Sequence, residues 1–199
     1  MAAAVAVRHA QRGLPERQSK ASCSDRERFE QTLALRLLLF VDETCSKHGF
    51  TRPSEEHCVR AFQRCFRLLA ACHYHNEDIE VIVAHASAYL GALALAMRVI
   101  GNRKMESREL IHVTCLLMFI AHSFVQDTTT PLRVWHEYLF GSYCSMSVLS
   151  AAVWGLLERL EYRMRVEPWE LQVRLDILRN ADVSPGLKFF AARAVMAGA

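Results

Sequence analysis

From Asp25 to Lys47, Leu33, Leu37, Phe40 and Val41 recur at the spacing of one helix face, after a Ser24-Asp25 pair suited to an N-cap. The pattern predicts an amphipathic helix over 25–47, stopped by His48-Gly49, because glycine accepts the left-handed conformation that ends many helices. Pro53-Ser54 opens a second helix, with Glu55 and Glu56 placed well for its dipole. Its inward stripe is Val59, Phe62, Phe66 and Leu69, with Cys58, Cys65 and Cys72 beside it and Arg60, Arg64 and Arg67 on other faces. Asn76-Glu77-Asp78 starts a third helix that runs to about Ile100 and is apolar nearly all round. A helix of that kind must be enclosed by others.

A short polar connection over 101–106 leads to a fourth helix, from Ser107 through Leu110, Val113, Leu117, Ile120 and Phe124, ended by Asp127-Thr-Thr-Thr-Pro131. An aromatic-rich connection with Trp135, Tyr138, Phe140 and Tyr143 follows. A fifth helix over about 147–162 carries Leu149, Val153, Leu156, Leu157 and Leu160. Glu167-Pro168 begins a sixth, since proline suits the first helical turn, and Leu171, Leu175 and Leu178 form its stripe. Asn180 and Ser184-Pro-Gly186 close it, and the alanine-rich end reads as one weak final helix. The expected fold class is all-α: a helical bundle with buried central helices and an extra N-terminal helix.

Composition supports this. The 199 residues suffice for one well-cored domain with flanking segments, 52% are hydrophobic, and 8 glycines and 5 prolines are few for an all-β fold. A flexible tail is expected over 1–24 and an extension over 181–199, with the helical region between them. A basic, alanine-rich stretch up to Ser22 reads as a disordered tail in preference to a mitochondrial targeting segment. The run Val81–Met97 approaches membrane-span length, but His85 and Ser87 interrupt it, so a buried central helix is expected and no membrane partner.

The formal net charge of +3, with no long run of like charge, argues against an electrostatically driven nucleic-acid partner. Seven cysteines without a CxxC, an odd number, fit reduced and mostly buried thiols in a reducing, cytoplasmic or nuclear compartment.

Candidate chemistry is sparse. Cys58, Cys65 and Cys72 stand seven residues apart, roughly 10 Å along a helix axis, too far to share one ion. Cys72-His73-x-His75 has no evident fourth ligand. Neither Cys115 nor Cys144 carries the local signature of a nucleophile. Glu158, Arg159, Glu161 and Arg163 read as a solvated charged face. No phosphate loop, HExxH or GxSxG is present. No metal, cofactor or catalytic residue is therefore expected, and the chain reads as a binding protein and not an enzyme.

One family comes into view in the fourth helix. Leu110-Ile-His-Val-Thr-Cys-Leu-Leu-Met-Phe-Ile-Ala-His-Ser-Phe-Val-Gln-Asp127 resembles the third helix of a cyclin box, an apolar run whose ending is matched by Ala121, Phe124 and Asp127. The leucine pattern from Leu149 to Pro168 is similar to the box's fourth helix and the start of its fifth, and Leu95-Ala-Met-Arg98 to the end of its second. The resemblance covers roughly residues 54–180 and implies a cyclin-box-like bundle there as the main domain, with residues 25–50 as an extra N-terminal flanking helix before it. It further implies a regulatory subunit that forms a heterodimer with a cyclin-dependent protein kinase, with Ser123, Phe124 and Asp127 nearest the partner.

The family's usual lysine falls at Ser123 and its following acid at Val125 or Gln126, so the usual ion pair to the kinase is not available here. In this the chain is similar to atypical cyclins, such as the short phosphate-pathway type and the cyclin-folded activators of a neuronal cyclin-dependent kinase. Pro131-Leu132-Arg133 is similar to a Pro-Leu-Lys stretch in the latter. An adaptor or transcription-associated module of the same fold, without kinase activation, is the other expectation.

Overall fold

Seven α-helices follow one another among the described residues, which in this computed structural model are 20–99 and 105–182. They are α1 (Lys20–His48), α2 (Glu55–Ala71), α3 (Asn76–Val99), α4 (Ser107–Val125), α5 (Leu132–Trp135), α6 (Met146–Arg159) and α7 (Pro168–Asn180). No strand occurs among these residues, and the protein is all-α. Most of the N-terminal tail, with any targeting segment in it, lies outside the described residues. So do most of the 101–106 connection, the Ser184-Pro-Gly186 stop and the weak final helix.

Local chemistry explains most of the helix ends. Gly49 adopts φ +69°, and its N–H reaches back to the Cys45 carbonyl at 2.9 Å, as the C-terminal stop requires. α1 begins at Lys20, so Ser24 lies within the helix and does not cap it; no glycine or proline interrupts the segment from Lys20 onward. Ser54 takes the extended N-cap conformation of α2, but its hydroxyl makes no capping bond, which leaves Glu55 and Glu56 to favour that end. α4 starts with a reciprocal capping box between Glu106 and Glu109. α6 stops at Arg159, short of the expected 162, because Glu161 and Tyr162 turn left-handed at φ 51° and 58°. The Tyr162 N–H then closes on the Leu157 carbonyl at 2.9 Å.

The expected aromatic connection is itself helical. α5 runs directly into a π-helical turn, His136–Phe140. Trp135 is fully buried and Phe140 nearly so, whereas Tyr138 and Tyr143 face outward. Arg64 of α2 spans the widened turn, donating to the Tyr138 carbonyl at 2.6 Å with its guanidinium 5.9 Å from the Tyr138 ring.

α3 is the centre of the bundle, packed against α1, α2, α4, α6 and α7. Every residue from Ile82 to Leu90 is buried. Both α3 and α4 are long and apolar enough to cross a membrane by length and composition, but over half of each apolar stretch is buried against other helices. The enclosure expected of α3 is nevertheless incomplete. The surrounding helices cover its middle and leave one side of the last turns on the surface, where Ala92 is exposed and Leu95 is 57% exposed, while Leu93, Ala94 and Met97 stay buried.

α7 is locked to α1 at its C-terminus. Arg36 donates from Nε to the Ala181 carbonyl at 3.0 Å and from a terminal nitrogen to the Leu178 carbonyl at 2.8 Å, satisfying two acceptors that a helix end leaves open. Arg179 adds an ion pair to Glu80 of α3 at 2.7 Å. Replacing Arg36 by alanine is expected to lower unfolding free energy by about 1–3 kcal/mol, since charge-assisted bonds to partly buried carbonyls are lost together. Urea titration checks this, with Arg36→Lys expected to fall between the two because lysine lacks the fork that reaches both oxygens.

Candidate functional site

The three residues expected nearest a partner lie together at the C-terminal end of α4 and differ in what holds them. Ser123 is exposed, and its hydroxyl turns back to donate to the Phe119 carbonyl at 2.9 Å, a bond available to any serine on a helix. Phe124 is 52% exposed, unusual for a large apolar ring in an otherwise well-buried helix. Asp127 is exposed in the turn that follows.

Phe124 rests on a buried polar ledge. Its ring lies 6.4 Å from that of His85, in the middle of α3, and the His85 ring lies 5.9 Å from Tyr89 one turn on. The Tyr89 hydroxyl is 3.4 Å from His85 Nδ1 and donates to the Met164 carbonyl at 2.7 Å. Burial lowers the His85 pKa and raises that of Tyr89, so both stay neutral near pH 7. The ledge thus ties the end of α4 to α3 and to the α6–α7 connection, where exposed Tyr162 forms part of the left-handed turn. The sequence signalled this only indirectly, through a polar His85 inside an apolar run; Tyr89 and Met164 carried no signal at all.

The turn after α4 is pinned from beneath. His122 is fully buried, and its Nε2 accepts from the Thr130 backbone N–H at 3.2 Å and lies 2.8 Å from the Tyr74 hydroxyl, which donates to the Thr128 carbonyl. Because Nε2 accepts, the proton of the neutral ring belongs on Nδ1. Burial depresses the His122 pKa to about 4. Asp127 therefore sits on a short loop whose two ends are fixed.

Elsewhere among the described residues, three buried cysteines are held protonated. Cys45, Cys58, Cys65 and Cys115 are buried, and burial pushes Cys45 up to about 11, Cys58 up to about 12 and Cys65 well above its ordinary value. Thiols so strongly protonated are poor nucleophiles. Among the described residues no group of three His, Cys, Asp or Glu side chains is placed to hold a metal ion. Glu158, Arg159, Glu161 and Arg163 are exposed, with one pair between Arg163 and Glu161 at 2.7 Å.

Compared with known proteins, the chain matches no family model, no curated protein and no solved structure.

Proposed function

We propose that this chain is a cyclin-like regulatory subunit that binds a cyclin-dependent protein kinase and does no chemistry of its own. The observation that carries the reading is Phe124. A half-exposed aromatic ring backed by rigid buried groups is the form of an interface anchor, where a few such residues supply most of the binding energy. Its position, with Ser123 and Asp127, is where the resemblance to a cyclin box puts the partner.

Such a subunit acts by packing against the kinase αC helix. That helix turns inward, and its glutamate pairs with the lysine that holds the ATP phosphates. The subunit shifts the kinase toward its active arrangement by binding that arrangement more tightly. It would work where the kinase does, in the cytoplasm or nucleus.

A second reading keeps the fold and removes the activation. Ser123 brings no charge, and its hydroxyl is turned onto its own helix, so the cation that typical cyclins offer at this place is missing. An adaptor that holds a partner without activating it would fit that feature.

Copurification followed by a kinase assay separates the two. For a regulatory subunit the partner is a protein kinase whose activity rises on addition of the chain, and Phe124→Ala weakens the complex at least about tenfold, the scale of one lost anchor. Asp127→Ala is expected to have a smaller effect, mainly on association rate. A stable partner that is not a kinase would support the adaptor. Unchanged binding with both substitutions would remove this face from either reading.

A further inference from the structure

The solvent face of α6 differs from those of its neighbours. The outer faces of α1, α2 and α7 carry charges, among them Arg28, Arg60 and Asp176, whereas no charged residue stands between Glu137 and Glu158. Leu149, Val153 and Leu156 turn inward and are buried. The opposite side of the helix is apolar too, with Val148 58% and Trp154 57% exposed and Ala151 and Ala152 exposed between them. Large apolar side chains gathered on one exposed face mark a surface that gains by being covered. Gly155 adds an observation of a different kind. It lies inside α6, where glycine weakens a helix, and a Cβ there would meet nothing within 4 Å. No described residue therefore needs the missing side chain; a helix approaching closely from outside would.

We propose that this face pairs with the same face of a second copy, α6 against α6, antiparallel about a two-fold axis between Ala151 and Ala152. The face is its own complement in that arrangement, as an isologous interface requires. Ala151 of one copy meets Ala152 of the other, which lets the helices approach closely. Val148 then lies over the hollow left by Gly155, and Trp154 beside Ser147 and Ser150, whose short side chains leave room for an indole. Glu158 arrives at the other copy's Ser145, the start of α6, where the helix dipole favours a carboxylate. A parallel pair would instead set Trp154 on Trp154 and Glu158 on Glu158. The exposed parts of these side chains come to about 500 Å² per copy, so a pair covers about 1,000 Å² in all, the size at which specific interfaces begin. The dimer is accordingly weak and reversible. Ser123, Phe124 and Asp127 do not belong to this face, so the pairing does not depend on what the protein binds there.

Sedimentation velocity of the full-length chain tests this, with monomer expected to give way to dimer as concentration rises through the micromolar range. Ala151→Glu brings two carboxylates close together across the axis and should weaken the dimer at least about tenfold. Because Ala151 is exposed, thermal unfolding of the dilute monomer should not change. Gly155→Ala should raise the melting temperature of the dilute monomer and still weaken the dimer, two effects that a purely structural role would not separate. Register is read from an equal mixture of isotope-labelled and unlabelled chain with Trp154 replaced by photo-reactive benzoylphenylalanine. The expected cross-link joins the two labels and falls within residues 147–150. A monomer at every concentration overturns the proposal. So does a dimer that Ala151→Glu leaves intact, since it would use another surface. Cross-links confined to one chain also overturn it, by giving the face to a segment of the same chain.

Discussion

Trp135→Ala is expected to lower unfolding free energy by about 3–5 kcal/mol, the largest single loss among the residues described. The side chain is 0% exposed and is the largest in the core that is fully buried. Its ring packs edge-on against Phe119 of α4 at 5.7 Å and tilted against His122 at 5.9 Å, so truncation opens a cavity under the turn that carries Asp127. The indole Nε1–H is buried and has no hydrogen-bond partner among the described residues. Tryptophan is therefore held here for its volume, and its polar atom is a cost. Trp135→Phe removes that unmet donor along with part of the volume, and is expected to cost well under half as much as alanine. Urea titrations of the two variants check this; equal losses would show that the indole N–H contributes after all.

Acid should destabilise the fold through His122. An unfolded histidine titrates near 6.5, whereas burial depresses His122 to about 4 in the native state. Between those values the unfolded chain binds a proton that the folded one does not, so stability falls as pH falls. The contribution is fully present above about pH 6.5. It is lost progressively down to about pH 4, by about 3 kcal/mol at most. His85 and His112 are shifted in the same direction by burial and add to the slope, with Arg108 adding to the shift of His112. His122→Gln is expected to be less stable at pH 7 but to lose less on acidification, because its amide cannot charge. Stability measured at pH 7 and pH 4.5 for both proteins decides; parallel losses would place the acid sensitivity elsewhere. Protonating His122 also takes away the lone pair that accepts the Thr130 N–H. The Asp127 turn should loosen before the core does, and any partner held there should leave in the same pH range.

These two effects show what was legible in the sequence and why the rest was not. The helices were legible, because apolar spacing, Gly49, Asn76, Ser107 and Pro168 act within a few residues of themselves. The end of α4 could also be placed in advance, and Phe124 does stand exposed there. What supports it could not, since His85, Tyr89 and Met164 come from distant parts of the chain. The aromatic stretch reads as a connection in the sequence because a four-residue helix and a single π-turn are too short for apolar periodicity to show. Arg64, 74 residues away from Tyr138 in the chain, is what meets its carbonyl.

Periodicity and capping chemistry, which are local, therefore determined an all-helical chain with two apolar central helices. Tertiary packing alone decided that α3 is covered all round in the middle and exposed on one side at its end, that Arg36 closes α7, and that His122 lies neutral beneath the Asp127 turn. Each depends on burial and on partners tens of residues apart, and neither is encoded in the spacing of apolar residues along one helix.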